Sequence, residues 1–152
     1  MISIFTSVWE NVLEPLLQRP KRQQVAALCY RGVGKGKQVL LVTSRGTGRW
    51  IIPKGWPIRG KNGSQSAMQE AWEEAGVREG TTGTAAIGSY TYDKQQSSGW
   101  SFPVETMVYP VAVETLEDEF PEVKQRERKW VSPRDAANLV QEPELKSILR
   151  NM

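Results

Sequence analysis

The sequence predicts an α/β fold, and three of its features support this class. Short apolar runs of strand length recur along the chain, turn residues separate them, and one longer segment places its apolar residues at helical spacing. The chain has 152 residues, of which 39% are hydrophobic, so it is large enough for one core and cramped for two. We therefore expect one domain over residues 20–152, preceded by a separate segment over residues 1–19.

The first predicted element is an amphipathic helix within residues 2–17. Apolar residues recur there at intervals of three and four, and Glu10, Asn11 and Glu14 interrupt them. This segment is too polar to cross a bilayer, and Pro20 is expected to end it. We expect the helix to pack on its own domain, and a homodimer contact or a membrane-surface anchor are the alternatives.

A β-hairpin is predicted next. Residues 25–30 and 39–42 are apolar runs, and the glycine-containing residues 32–37 between them have the composition of a turn. A short strand over residues 49–52 follows. Pro53 should end that strand, because proline has no N–H to donate to a neighbouring strand.

A helix is predicted to begin near Asn62 and to stop at Gly76. Asn62 and Gln65 have the spacing of a capping box, and glycine readily takes the left-handed conformation that ends a helix. An apolar stripe should face the core, and the glutamates of the segment should lie largely on the other side. The stripe consists of Ala67, Met68, Ala71, Trp72 and Ala75.

Strands are expected downstream over residues 85–92 and 104–113. The polar loop 93–101 between them is a candidate for substrate selection, because loops on a rigid scaffold carry binding residues. Residues 128–131 form a last predicted strand. Ser132 and Pro133 are typical of a helix start, and residues 145–149 are expected to form a final helical turn.

Charge is distributed unevenly along the chain. Residues 15–69 hold eleven Lys or Arg and no Asp or Glu, whereas residues 70–152 hold nine basic and fifteen acidic residues. The net charge of +3 conceals this asymmetry. The first part would attract a polyanionic substrate and the second would supply carboxylates, although basic loops that only confer solubility are the alternative.

The chain has no histidine and one cysteine, which excludes several kinds of chemistry. Ser-His and Cys-His catalysis and His-ligated zinc sites are ruled out. Cys29 lies in an apolar run, so we expect a buried inert thiol, and no disulfide can form within the chain. A cytoplasmic location is the natural setting for such a protein. Carboxylates, lysines and a metal must carry any reaction.

Three glutamates stand on the predicted helix directly after a basic, glycine-containing loop. Glu70, Glu73 and Glu74 are spaced i, i+3 and i+4, which places them on one arc of the helix. Three carboxylates on one face suit a hard divalent cation held against a phosphate. A solvated helix face is the ordinary alternative.

Residues 55–77 resemble the Nudix box, G-x5-E-x7-R-E-U-x-E-E-x-G-U, in which U is a bulky aliphatic residue. The matching residues are Gly55, Glu70, Glu73, Glu74, Gly76 and Val77. The resemblance extends over about residues 21–141. Within the family, residues 39–45, 49–53 and 127–131 are similar to the branch of diphosphoinositol-polyphosphate and diadenosine-polyphosphate hydrolases.

Three positions depart from the box. Lys61 stands in place of Glu, Gln69 in place of Arg, and Ala71 in place of a bulkier residue. Lys61 should weaken any extra metal site and could bind a phosphate instead. Gln69 cannot form the charge-assisted pair by which the family's Arg orients a glutamate. These departures bear on the catalytic rate more than on the fold.

The resemblance implies an α/β/α sandwich with a mixed sheet, and metal-assisted hydrolysis of a phosphoanhydride. Mg²⁺ or Mn²⁺ would be held mainly by Glu73 and Glu74, with Glu70 and the Gly55 carbonyl nearby. Glu70 would orient or deprotonate the attacking water. Substrate phosphates would be bound by Ser44, Arg45, Lys54, Arg59 and Lys61.

Other candidates are less distinctive. Glu117 and Glu119 could add carboxylates, although an ordinary acidic loop explains them as well, and Trp56 and Trp100 could stack on a base. Three functions remain open. They are a hydrolase of diadenosine or diphosphoinositol polyphosphates, a Nudix hydrolase of another substrate such as a nucleotide sugar or an RNA 5′ end, and a binding module with weakened catalysis.

Overall fold

The computed structural model describes residues 22–152, so the helix predicted within residues 2–17 lies outside the described residues. Its strands are β1 (Arg22–Arg31), β2 (Gln38–Thr43), β3 (Trp50–Ile51), β4 (Lys54–Gly55), β5 (Val77–Thr81), β6 (Gly88–Gln95), β7 (Ser101–Leu116) and β8 (Arg128–Val131). Its helices are α1 (Gly63–Ala75), α2 (Pro133–Leu139) and α3 (Pro143–Arg150). Within residues 22–152, no helix is both long and apolar enough to cross a membrane.

The eight strands form one mixed sheet, as expected. The main order is β3-β2-β1-β7-β5, with β4 paired to β1, β6 to β7 and β8 to β2. The long central strands β1 and β7 run parallel, from Arg22 opposite Val104 to Tyr30 opposite Ala112. The other pairs are antiparallel. The predicted hairpin is confirmed as β1 and β2.

Helices cover both faces of this sheet. Successive side chains of β1 point to opposite faces, so Val25 and Ala27 pack in the cluster that contains α1, whereas Ala26 and Leu28 pack in the cluster that contains α2 and α3. A strand buried on both faces needs an uninterrupted apolar run, which is what residues 25–30 provide. The α/β/α sandwich is therefore confirmed. Cys29 is fully buried, and burial raises the pKa of its thiol to about 12.

The ends of α1 agree with the sequence. Asn62 Oδ1 accepts the N–H of Gln65 at 2.8 Å, and Gln65 Oε1 accepts the N–H of Asn62 at 2.9 Å, which completes the capping box. Gly76 follows with φ 76°, and a Cβ there would lie 2.5 Å from the Glu117 carbonyl oxygen. Glycine is therefore required both for the left-handed turn and for the close contact.

The faces of α1 differ in part from the prediction. Ala67, Ala71 and Ala75 are buried as expected, but Met68 and Trp72 are only half-buried. Glu74 was expected to lie away from the core, and this expectation is wrong, because Glu74 is only 5% exposed. The reason is a buried partner for its carboxylate, described below.

Several strand boundaries also differ. The strand expected over residues 85–92 begins at Gly88 and continues to Gln95, and its partner begins at Ser101, so only residues 96–100 connect β6 and β7. Backbone pairing extends this hairpin through polar residues that alone give no strand signal. The strands β4 and β5 were not predicted, since two residues in β4 and a mostly polar β5 carry no apolar alternation.

Candidate active site

A close contact between β4 and α1 places the first glutamate. A Cβ built on Gly55 would lie 2.3 Å from the Glu70 carboxyl carbon, so a larger residue here would displace this carboxyl group from its position. Gly55 is itself fixed by pairing with Val25 of β1. The helix therefore presents Glu70 directly against the end of a strand in the sheet.

Glu74 is held by two donors from distant parts of the chain. Its Oε1 accepts from Arg126 Nη2 at 2.6 Å, and its Oε2 accepts the backbone N–H of Lys54 at 2.9 Å. The side chains of Arg126 and Glu74 are 5% and 7% exposed, respectively. Burial raises the pKa of Glu74 to about 7, against the opposing effects of Arg126 and of the Lys54 N–H.

Arg126 connects this pair to its surroundings. Its Nη1 donates to the Thr43 carbonyl at 2.9 Å, and its Nη2 also lies 3.3 Å from Glu122 Oε1. Glu122 forms a second ion pair with Arg45 at 3.1 Å, and its backbone N–H donates to the Glu73 carbonyl at 3.0 Å. The segment after β7 is thereby tied to α1 and to the end of β2.

The other two glutamates of α1 have different surroundings. Burial and, to a smaller extent, the negative charges of Glu74 and Glu73 together raise the pKa of Glu70 to about 7. A carboxyl group with a pKa near neutrality is suited to take up a proton at physiological pH. Glu73 Oε1 accepts from Gln69 Nε2 at 3.0 Å, one turn earlier on the helix.

These glutamates line a cleft of about 540 Å³ together with basic side chains. Its charged lining consists of Glu70, Glu73, Glu74 and Glu122 with Arg45, Lys54, Lys94 and Arg126. Burial lowers the pKa of Lys54 to about 8, and the nearby Glu74 opposes this shift. The cleft thus combines oxygen donors that suit a divalent cation with positive groups that suit phosphate oxygens.

An aromatic wall borders the same cleft. Trp56 and Phe102 stack with ring centroids 6.5 Å apart and an interplanar angle of 17°. Lys94 lies 6.0 Å from the Trp56 ring, and Arg22 lies 4.5 Å from the Phe102 ring. Trp56 lines the cleft and is 40% exposed, so part of its ring is available to a ligand.

The donor set fits a hard cation in its chemistry, since it contains only oxygen ligands. Within residues 22–152, however, no three acidic side chains already surround one point. Both Glu74 oxygens accept hydrogen bonds, from Arg126 and from the Lys54 N–H, and one Glu73 oxygen accepts from Gln69. A bound cation would share or compete for these carboxylate oxygens.

Most of the residues predicted for the site meet at the cleft, and the others lie elsewhere. Ser44, Arg45, Lys54 and Gly55 line it with the three glutamates of α1. Arg59 and Lys61, predicted to bind phosphate, are exposed and do not line the cleft. They follow Gly55 in the connection to α1, and Lys61 belongs to a second groove beside that helix.

Only some of the acidic and aromatic candidates lie at the cleft. Glu117 and Glu119 are exposed and absent from the lining of the cleft, where Glu122 stands instead. Trp56 lines the cleft, whereas Trp100 is 77% exposed in the turn between β6 and β7 and does not. The hairpin does contribute to the cleft, although through Tyr92 and Lys94 of β6.

Sequence reasoning missed Glu122 and Arg126. Arg126 belongs to a run of alternating charges that is typical of a solvated surface, and its partner Glu74 lies 52 residues earlier. Glu122 follows a string of similar acidic residues, so no spacing distinguishes it. The only available signal was indirect, since a glutamate next to the apolar stripe of a helix requires a cationic partner if it becomes buried.

Comparison with known proteins places the chain in a family. The model of the NUDIX domain matches residues 20–152. The chain belongs to the Nudix family. Diphosphoinositol polyphosphate phosphohydrolase 3-beta from Bos taurus is 30% identical to this Nudix chain over 122 residues, which cover 79% of the chain and 70% of the relative. The human 3-alpha enzyme has the same identity and the same coverage of both chains.

Solved structures support the Nudix fold. The Ap4A hydrolase of C. elegans aligns with a TM-score of 0.61 at 21% identity, covering 86% of this chain and 95% of its own. A NUDIX hydrolase from Nitrosomonas europaea aligns with a TM-score of 0.62 at 18% identity, covering 87% and 88%. At these identities the likeness shows the fold alone.

Proposed function

We propose that this Nudix protein is a metal-dependent hydrolase of a phosphoanhydride bond in a polyphosphorylated small molecule. The observation that carries the proposal is the cleft itself, in which four glutamates and four basic side chains face one another. A polyphosphate needs positive groups along its length, and a divalent cation needs carboxylates at the bond that breaks. Family membership agrees with a hydrolase.

The residues divide into roles by position. Mg²⁺ or Mn²⁺ would be held by Glu73 and Glu74, with Glu122 and the Gly55 carbonyl nearby. When bound, such an ion polarises the phosphate and lowers the pKa of a water ligand. Glu70, whose pKa is raised to about 7, orients the attacking water or accepts its proton.

The positive side chains hold the substrate and the glutamates. Arg45 and Lys54 line the cleft from the β2 end and from β4, where they can bind phosphate oxygens, and Ser44 adds a hydroxyl group beside them. Arg126 positions Glu74 through the 2.6 Å ion pair. Arg59 and Lys61, expected to bind phosphate, lie outside the cleft and have no part in this assignment.

Two substrate classes are the leading candidates. The partly exposed Trp56 ring, stacked on Phe102, offers a flat surface for a nucleobase, which favours a dinucleoside polyphosphate such as diadenosine polyphosphate. The two relatives described above are named for diphosphoinositol polyphosphates, which supports the second class. Other phosphoanhydrides, including the 5′ end of an RNA, are the alternative substrates.

A weakened enzyme or a binding module is the second candidate function. The observation that favours it is the ion pair of Arg126 with Glu74, because it occupies a carboxylate that a metal would need. Gln69 adds to this by binding Glu73 as a neutral amide.

The division of the chain at residue 20, and a homodimer contact through residues 1–19, remain predictions.

A substrate panel tests the proposal. The purified full chain is incubated with Mg²⁺ or Mn²⁺ and with dinucleoside polyphosphates, inositol pyrophosphates, nucleoside triphosphates and 5′-triphosphate RNA, and products are identified by mass spectrometry. We expect metal-dependent cleavage of a phosphoanhydride in one of the first two classes. If no member of the panel is cleaved, the result would favour the binding module.

A further inference from the structure

A second groove lies on a different face of α1. It has a volume of about 420 Å³ and lies between the first turns of α1 and the start of β5. At 100° per residue, its residues on α1 are centred roughly 160° from the three glutamates. The lining residues that matter are Lys61, Met68, Gln69, Trp72 and Arg78.

The groove is positively charged and has no acidic side chain in its lining. Among residues 22–152, neither Lys61 nor Arg78 forms an ion pair with a carboxylate. Arg78 lies 5.1 Å from the Trp72 ring centroid, where the ring face holds the guanidinium group and leaves its N–H groups free to donate. The two cations are therefore available to an anion.

An apolar surface accompanies these charges. Met68 and Trp72 are half-buried along the same groove, although both were expected to belong to the stripe that faces the core. A site with two cations beside an aromatic ring and a thioether suits a ligand that joins a phosphate to a flat or apolar portion.

Two departures from the Nudix box fall in this groove rather than in the cleft. Lys61 replaces a glutamate and Gln69 replaces an arginine, and both residues line the groove. A glutamate at position 61 would give the groove its own anion. Lysine instead leaves a positive charge without an acidic neighbour in the lining.

We propose that this groove binds a phosphate-bearing small molecule, of which a nucleoside monophosphate is the representative. The phosphate would contact Arg78 beside Trp72, Lys61 would add a second positive charge to the same lining, and the base would pack on Met68. Binding here requires neither a metal nor hydrolysis, so the inference goes beyond the function proposed for the cleft.

Gln69 connects the groove to the cleft. Its side chain lines the groove, and its Nε2 donates to Glu73, which lines the cleft. The Gln69 amide carries two N–H groups, so a groove ligand can accept one of them while Glu73 accepts the other. Gln69 would then contact the ligand and the cleft at the same time.

Tryptophan NMR signals test the proposal at the level of single sites. The ¹⁵N-labelled full chain is titrated with AMP in the presence of EDTA. The indole N–H signals of Trp72 and Trp56 report the groove and the cleft respectively, and Trp72→Phe and Trp56→Phe identify them. We expect the Trp72 signal to shift and to saturate as AMP is added.

Matched charge reversals locate the site. In the Lys61→Glu, Arg78→Glu double variant, AMP should bind at least about tenfold more weakly, because the charge-assisted contacts to phosphate are lost. The Lys35→Glu, Arg134→Glu double variant makes the same change at two exposed positions outside the groove, and its affinity should remain that of the wild type. All four substituted residues are exposed, and spectral dispersion verifies that each variant is folded.

Three results would contradict the proposed groove site. A Trp72 signal that stays in place at millimolar AMP, or equal affinity in the wild type and the Lys61→Glu, Arg78→Glu variant, would overturn the proposal. If AMP moves only the Trp56 signal, the ligand occupies the cleft. That outcome also overturns the groove site, while leaving the proposed hydrolase intact.

Discussion

The cleft and the groove lie beside the same helix and differ in where their partners come from. On the cleft side, Glu74 is paired with Arg126, 52 residues later in the chain, and Glu70 lies against Gly55 of β4. On the groove side, Lys61 and Arg78 have no acidic partner among the described residues. One helix can thus present two chemistries, and the segments that pack beside it decide which one each face has.

The two regions should also respond differently to mutation. A buried charge costs free energy unless it is paired, so removing a partner in the cleft disturbs the whole cluster. Exposed charges in the groove are solvated, so substituting them changes the stability of the fold little. The variants below therefore separate the two regions.

The largest expected effect is on turnover at the cleft. The Glu73→Gln, Glu74→Gln double variant should lose at least about 100-fold in turnover, since metal sites lose up to this much even from changes outside the ligand shell. Steady-state rates on the best substrate of the panel measure it. The Glu117→Gln, Glu119→Gln variant removes the same charge outside the cleft and should retain the wild-type rate. Full activity in the first variant would remove the assigned role from these glutamates.

The next effect is on stability. Arg126→Gln should lower the free energy of unfolding by about 3 kcal/mol, the lower end for a broken buried pair, because Glu74 can take up a proton when left alone. Arg45→Gln breaks a pair in which Arg45 is 60% exposed and should cost at most about 1 kcal/mol. Urea unfolding of the metal-free proteins measures both. Equal losses would mean that burial does not distinguish the two pairs.

The sequence predicted the backbone of the cleft better than its electrostatics. The apolar run of β1, the capping box at Asn62 and the glycine at position 76 each follow from local rules, and each is confirmed. Ser44, Arg45, Lys54 and the glutamates of α1 line one cleft, as their places in the box and the neighbouring loop suggested, and their functional roles stay predictions.

The burial of Glu74 and the position of Lys61 depended on contacts between segments that are far apart in the sequence. No residue near Glu74 in the sequence identifies the partner that allows its burial, because Arg126 comes from the connection between β7 and β8. The position of Lys61 also could not be predicted from its neighbours in the sequence. Its place in the box suggested the cleft, whereas the path of the chain between β4 and α1 places it in the groove.

A smaller effect concerns pH. Glu70 has a folded pKa of about 7, above its ordinary value of 4.5, so the folded state binds protons more tightly than the unfolded state between these values. Its contribution to stability is complete below about pH 4.5 and is lost as pH rises through 7. In EDTA, the melting temperature of the wild type should therefore fall more steeply between pH 5 and pH 8 than that of Glu70→Gln. Parallel profiles would contradict the raised pKa.

The smallest effect is expected from the groove on catalysis. Lys61→Glu restores the residue of the box but does not touch the cleft, so turnover should change by no more than about twofold, as for other surface substitutions. Steady-state rates under the same conditions measure it. A large gain in turnover would show that this departure weakens the enzyme and that the two faces are coupled more strongly than the geometry indicates.

The most direct test of the difference between the two faces is the affinity for Mn²⁺, measured from the free-ion EPR signal. We expect Glu73→Gln, Glu74→Gln to weaken Mn²⁺ binding at least about tenfold, whereas Lys61→Glu should leave the affinity within about twofold of the wild type. Equal Mn²⁺ affinity in the wild type and the glutamate double variant would contradict the assignment of the cation to the cleft face of α1.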